Sequence, residues 1–302
     1  MLFIDDIWKY HIFKYLNLKL FKLYEIKSIC QYFNRLLPSY KKKKDSQFAF
    51  KYIKVPSKQC PTLDDAYNLL KKCKQKYKKI PEIWLDEGVH HHNIECIEFP
   101  ILIAGVDKKN TIIQNCVTFS RINEKYHGKS YLYNLSINNS KTDGIVVHNS
   151  NINIYKCTIS NNAKSGLHIW NNVYFYLNKC EINGNQTGLL VGNTTTGTIK
   201  NIYCYNNKAS GISSGGCDFS KIHIKGKNTK IYNNNTDKKK YSAGIDCDYA
   251  CTIQIYNLTK MISNFNFNNY VLRGRRSKII FKNKNSEPEI VHNRTQERDY
   301  YY

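Results

Sequence analysis

No stretch of the 302-residue sequence approaches the roughly 18 consecutive apolar residues that a membrane-spanning helix needs, so no membrane partner is expected. The opening Met1-Leu2-Phe3-Ile4 runs straight into Asp5-Asp6. It has neither the basic n-region nor the uninterrupted apolar h-region of a secretory signal. Cysteine occurs eleven times, an odd number, yet no CxxC pair and no Cys/His cluster with zinc spacing is present. A disulfide scaffold is thereby disfavoured, and an intracellular, reducing compartment fits better. No metal site and no cofactor are expected: the run His90-His91-His92 has no further ligand that the sequence can place beside it.

Acidic residues are also scarce. Asp and Glu number 23 against 46 Lys and Arg, a formal net charge of +23. An excess of that size invites a polyanionic partner. The lysines are scattered among asparagines, isoleucines and tyrosines, all with A/T-rich codons, and this favours coding bias over function. Nucleic acid is therefore not expected as a partner. With 41% hydrophobic residues, the chain can build one large or two modest cores.

What the sequence does contain is a repeat. Gly144, Gly166, Gly188 and Gly211 open similar segments, at spacings 166−144 = 22, 188−166 = 22 and 211−188 = 23. After each glycine comes an alternating pair: Ile145 and Val147, Leu167 and Ile169, Leu189 and Val191, then Ile212 and Ser214. Asn149, Asn171 and Asn193 follow at one offset. A second alternation runs through Ile152 and Ile154, Phe175 and Leu177, Gly197 and Ile199. A third runs through Leu135 and Ile137, Cys157 and Ile159, Cys180 and Ile182, Ile202 and Cys204. Asn162, Asn185 and Asn207 come next, with Ser140 in the same place one coil earlier.

Three short strands per coil, each with period-2 alternation, exclude helical repeats. Stacking such coils places equivalent residues about 4.8 Å apart. Apolar ladders then form inside and asparagine ladders at the corners, where each amide can bond to the one above. The glycine before each first strand suits a turn that needs positive φ. The fold class expected is mostly β, a right-handed parallel β-helix of about 22-residue coils, from about Ile83 to about Phe267. The segment Asp64 to Lys79 has helical spacing (Leu63, Ala66, Tyr67, Leu70, Cys73, Tyr77) and suits a cap on its open end. Over about residues 60 to 270 the chain resembles the pectate-lyase-like right-handed β-helix superfamily, with Ile83-Trp84-Leu85-Asp86-Glu87-Gly88 in the place of its first coil. The resemblance implies the fold and carries little about activity.

Residues 1–40 read as a small all-α unit, with Ile4, Ile7, Trp8, Ile12, Phe13 and Leu16, then Leu20, Leu23, Ile26, Ile29, Cys30 and Phe33 at helical spacing. Ile12-Phe13-Lys14-Tyr15-Leu16 and Ile29-Cys30-Gln31-Tyr32-Phe33 resemble the second and third parts of the F-box, and Asp5 stands where that family has proline. The resemblance implies binding of the Skp adaptor of a cullin-based ubiquitin ligase through Ile12, Phe13, Leu16, Leu23, Ile26, Cys30 and Phe33. An F-box followed by a β-helix is a known pairing, in which the solenoid would hold the protein to be ubiquitinated. With the A/T-rich composition it points to an amoeba, protist or large DNA virus. Lys41-Lys42-Lys43-Lys44 opens a linker over 41–60, the β-helix spans 61–270, and 271–302 is a cap or tail.

Enzymes of the β-helix superfamily use clustered carboxylates. Only Asp246 and Asp248 are candidates, as outward neighbours on one strand with Asp218 about one coil away, and the Gly-His-Gly and Arg-x-Pro-x-x-Arg elements of that superfamily's enzymes are absent. An ordinary exposed strand face is the preferred reading of the two aspartates, and no catalytic residue is assigned. His148, His168 and Trp170, with Val146 and Leu190, form a partly apolar outward column; together with Asp246 and Asp248 they are the candidate ligand face. The function expected is a non-enzymatic substrate receptor of a ubiquitin ligase. The alternatives are a divergent polysaccharide lyase or hydrolase, and an interaction protein whose helical unit binds no adaptor.

Overall fold

The computed structural model describes residues 52–73, 80–92, 97–120, 128–215, 219–238, 242–248, 250–256, 262–263, 270–272, 276–282 and 289–292. The chain divides into two units, residues 1–49 and 50–302. The whole F-box-like segment, including Ile12, Phe13, Leu16, Leu23, Ile26, Cys30 and Phe33, lies outside the described residues, as does Asp218.

Period-2 alternation in short runs that recur at one offset lets each strand pair with its equivalent in the next coil, so each coil turns three times and stacks on its neighbours. Three sheets result, of eleven, eight and seven strands among the described residues, parallel throughout except for the last strand of the first. One typical coil runs through Asn151–Tyr155 in the first sheet, Thr158–Ser160 in the second and Ser165–Trp170 in the third. The next coil repeats this with Tyr174–Asn178, Glu181–Asn183 and Thr187–Val191. Register is kept from coil to coil: Ile152 pairs with Phe175, Ile159 with Ile182 and Leu167 with Leu189. Every inward position named from the repeat is buried, and most have no exposed area at all. Each fully buried aliphatic side chain contributes about 1.5–3 kcal/mol of transfer free energy. Cys157, Cys180 and Cys204 are unpaired members of this interior. Burial pushes the Cys180 thiol up to about 11 and that of Cys204 to about 12, so they pack as small apolar groups.

The asparagine ladder closes the corner between the second and third sheets. The Ser140 amide donates to Asn162 Oδ1 (3.0 Å). Asn162 donates through N (3.0 Å) and Nδ2 (2.9 Å) to Asn185 Oδ1. Asn185 does the same to Asn207 Oδ1, and Asn207 Nδ2 reaches Asn234 Oδ1 (2.8 Å). At the corner between the third and first sheets Asn149, Asn171 and Asn193 have φ of 49°, 61° and 44°, the left-handed region that asparagine tolerates better than most residues.

The repeating glycines differ from expectation. Gly144, Gly166, Gly188 and Gly211 are not among the positive-φ residues. Glycine is needed there because the ladder leaves no room for a Cβ: at Gly166 one would lie 2.7 Å from Asn185 Nδ2 and 2.8 Å from the Gly188 carbonyl oxygen.

Both ends of the solenoid depart from the expected boundaries. Tyr52–Val55, within the expected linker, is a strand that pairs with Glu82–Leu85. At the far end Lys278–Lys282 adds another parallel rung, and Glu289–His292 pairs with it antiparallel. The helix Leu63–Cys73 opens with a reciprocal cap: Thr62 Oγ1 accepts from the Asp65 amide (3.1 Å), and Asp65 Oδ2 accepts from the Thr62 amide (3.1 Å). Its Leu63, Ala66, Tyr67 and Leu70 are buried and share one core cluster with Ile53, Val55, Ile83 and Leu85. The helix thus packs its apolar face onto the first rungs.

Candidate functional site

Outward positions of the third sheet form files running along the solenoid. Because the strands pair in register, Ser120 stands beside His148 and His148 beside Trp170, while Val146 stands beside His168 and His168 beside Leu190. The residues inward of these, Val147 and Ile169, are locked in the core, so the outward side chains start from a fixed backbone.

The two files bring three rings together. Trp170 stacks with His168 at a centroid distance of 5.6 Å and an interplanar angle of 23°, and meets His148 at 5.7 Å, tilted by 57°. The indole remains 36% exposed, while both histidines are half-buried. His168 Nδ1 lies 3.7 Å from Asp143 Oδ2, and Asp143 Oδ1 accepts from the Ser165 amide at 2.7 Å. Burial alone would raise the Asp143 carboxyl; the hydrogen bonds from His168 and Ser165 and the charge of His168 carry it below the usual carboxylate range. His148 Nε2 lies 3.1 Å from Ser120 Oγ, and its Nδ1 is buried without a hydrogen-bond partner among the described residues.

Chemically the cluster offers rings for stacking and polar groups for hydrogen bonding. A serine, two histidines and an aspartate are present: Asp143 lies against His168 and Ser120 against His148. In these contacts the acid and the hydroxyl meet different imidazoles, whereas a nucleophilic triad joins both to one. What remains is a partly exposed aromatic plane with a carboxylate-held imidazole at its edge, suited to stacking and hydrogen bonding.

Past Trp170 the file continues through glycines. The Gly192 amide donates to the Ile169 carbonyl (2.8 Å) and the Gly215 amide to the Val191 carbonyl (2.9 Å). Two outward positions without side chains thus follow the indole along the sheet.

Asp246 and Asp248 lie further along the same face, but the expectation of an exposed acidic strand is corrected. Asp246 is 2% and Asp248 7% exposed. Asp246 Oδ2 accepts from Ser213 Oγ (3.1 Å), and the Asp248 amide donates to Ser214 Oγ (3.1 Å). Burying a carboxylate is costly unless it is hydrogen-bonded; Ser213 on the neighbouring strand donates to the Asp246 carboxylate, while Ser214 there holds the Asp248 backbone.

Asp143 and Ser120 were missed in the sequence. Asp143 immediately precedes a repeat glycine, a position the ladder pattern does not single out. Ser120 precedes His148 by 148−120 = 28 residues, outside the 22-residue period.

The family model described as the right handed beta helix region matches residues 101–294. The chain belongs to this right-handed β-helix family. No curated protein matches the sequence. Among solved structures, ORF18 of Geobacillus virus E2 is similar at 12% identity with a TM-score of 0.46, over 80% of this chain and 63% of that one. The chain therefore spans less than two thirds of that protein's length.

Elsewhere on the β-helix, a hollow lined by Gln59, Asp65, Asn68, Leu69 and Lys72 opens on the outer side of the capping helix and shares no residue with the ring cluster. His90 Nε2 lies 2.9 Å from the Asp86 carbonyl oxygen, and no group of three or more metal-ligating side chains occurs among the described residues. None of the described helices is long and apolar enough to cross a membrane.

The ring cluster has a pH signature. Burial, reinforced by the charge of His168, holds His148 below the ordinary histidine value. The folded β-helix therefore binds less proton at this site than the unfolded chain. The stability it contributes is complete above about pH 6.5 and is lost as the pH falls through the unfolded and then the folded pKa. An NMR titration of the imidazole resonances, assigned with His148→Gln, is expected to place His148 below an ordinary histidine. A midpoint at or above about 6.5 would contradict the burial argument.

Proposed function

We propose that this protein is a non-enzymatic recognition subunit. In this reading the ring cluster of His148, His168 and Trp170 holds a target protein, and the F-box-like segment joins it to the Skp adaptor of a cullin-based ubiquitin ligase. The observation that carries the recognition half is the Trp170 plane, exposed on a backbone that the core holds rigid. Buried aromatic anchors on rigid elements dominate binding energy. Burial of Asp246 and Asp248 supports binding over hydrolysis, because acid/base work on a polysaccharide needs both carboxyls within reach of substrate. The adaptor half rests on the resemblance of Ile12-Phe13-Lys14-Tyr15-Leu16 and Ile29-Cys30-Gln31-Tyr32-Phe33 to the F-box. In a virus, such a protein would redirect the host's ubiquitination.

The test is a pull-down of the full chain with purified Skp adaptor beside an Ile12→Asp/Phe13→Asp variant. Retention of the wild type and loss in the variant, with unchanged circular dichroism, is the expected result. No retention of a folded wild type would overturn the adaptor role. Trp170→Ala should leave adaptor binding intact, since it alters only the target face.

A further inference from the structure

The outer side of the first sheet differs chemically from the face just described. Seven consecutive strands, from Lys129–Tyr133 to Lys278–Lys282, lie parallel and in register. Lysines that are dispersed along the sequence come together here, because one coil of chain advances the solenoid by a single strand spacing. Lys129, Lys200, Lys221, Lys225, Lys278 and Lys282 all occupy outward positions, and none of the seven strands contains an aspartate or glutamate. Lys200 and Lys225 are direct neighbours in one file, as are Tyr256 and Lys282.

Aromatic rings stand between these cations. Tyr174 is 62% exposed, with half-buried Tyr176 two residues along the same strand. The Tyr256 ring lies 4.6 Å from Lys225 Nζ, 5.5 Å from Lys282 Nζ and 6.0 Å from the His223 ring. At the corner that follows the strands, Lys156 and Lys179 hold their ammonium groups 5.8 and 5.7 Å from the centre of the Tyr155 ring. These contacts restrain long side chains, which lowers the entropy lost on binding an anion. At His223, burial and then the charges of Lys225, Lys282 and Lys221 outweigh a hydrogen bond with Gln254 and hold the imidazole below its ordinary value.

We propose that this face binds a single strand of nucleic acid, its phosphates held by the lysines and its unpaired bases stacked on the tyrosine rings. Lysine ammonium groups only donate hydrogen bonds, which suits phosphate oxygens. An acidic polysaccharide would also meet the lysines, but it has no aromatic bases to stack on the tyrosine rings. A duplex is disfavoured because its bases are already stacked, and a sheet face presents no helix or ribbon to enter a groove. Six strand spacings of about 4.8 Å make the face about 29 Å long, enough for a footprint within the roughly 4–16 nucleotides of known single-strand sites. The proposal is independent of the adaptor reading.

Fluorescence anisotropy of the full chain with a labelled twelve-nucleotide oligothymidylate, titrated at several salt concentrations, tests it. With six phosphates engaged, the slope of log affinity against log salt is expected near about −4. Alanine at Lys200, Lys221 and Lys225 should weaken binding at least tenfold at low salt and reduce the slope by about 2. Tyr174→Ala should weaken binding by about 5- to 100-fold. Alanine at Lys141, Lys164 and Lys208, exposed lysines at a different corner, makes the same charge change and should leave affinity within about twofold. Equal loss in this control would overturn the proposal in favour of net charge. So would equal affinity for a duplex, preference for polygalacturonate, or no binding at low salt.

Discussion

Asn185→Ala is expected to destabilise the solenoid by about 3–5 kcal/mol, a large part of the roughly 5–15 kcal/mol that holds a typical domain together. Asn185 has no exposed area. Its Oδ1 is the acceptor for both the Asn162 amide and Asn162 Nδ2, and its Nδ2 donates to Asn207 Oδ1 and to the Ile159 carbonyl. Truncation strands the two donors of Asn162 in the interior, and each buried unsatisfied group costs about 1–3 kcal/mol. The loss falls mid-stack, where each coil is stabilised only by its neighbours, so it weakens two interfaces at once. Urea unfolding followed by circular dichroism measures the effect, with exposed Lys164→Ala as the reference. A change below about 1 kcal/mol would mean that water replaces the side chain and that the ladder adds little.

Gly197→Ala is the second large effect, and its cause is steric. Gly197 pairs with Phe175 on the preceding coil. A Cβ at 197 would lie 1.9–2.4 Å from three atoms of the Phe175 ring, so the phenyl group fills the space that the glycine leaves open. Overpacking of this kind costs about 1–3 kcal/mol or more. Phe175→Leu alone loses ring packing, while the double variant trades one volume for the other. It should therefore be more stable than the sum of the two single losses by about 0.5–3 kcal/mol. Additive losses in a double-mutant cycle would show that Gly197 is needed for its backbone and not for the neighbouring ring.

The glycines show how the sequence can be right about a position and wrong about its reason. Gly144, Gly166, Gly188 and Gly211 mark the coil period correctly, yet their backbones are not left-handed. The requirement comes from a carbonyl and an asparagine amide one coil away, contacts made by residues about 20 positions distant. The left-handed corners are filled by asparagines and lysines such as Asn149, Asn171, Lys156 and Lys179. His148, His168 and Trp170 were legible as one face because they lie on adjacent coils of nearly equal length. Asp246 and Asp248 were legible as sharing that face but not as buried, since the coil before them is 244−211 = 33 residues long.

By itself, then, the sequence determined the coil period, the inward residues, the asparagine ladder and the capping helix. Each depends on spacing within a strand or on repetition at one offset, and both are properties of the chain. Tertiary structure alone decided the Asp143–His168 contact, the burial of the two aspartates, the Phe175–Gly197 fit and the gathering of lysines on the first sheet. Those depend on which coil lies above which and how far each loop reaches. Loop length varies without disturbing the alternation that defines the strands.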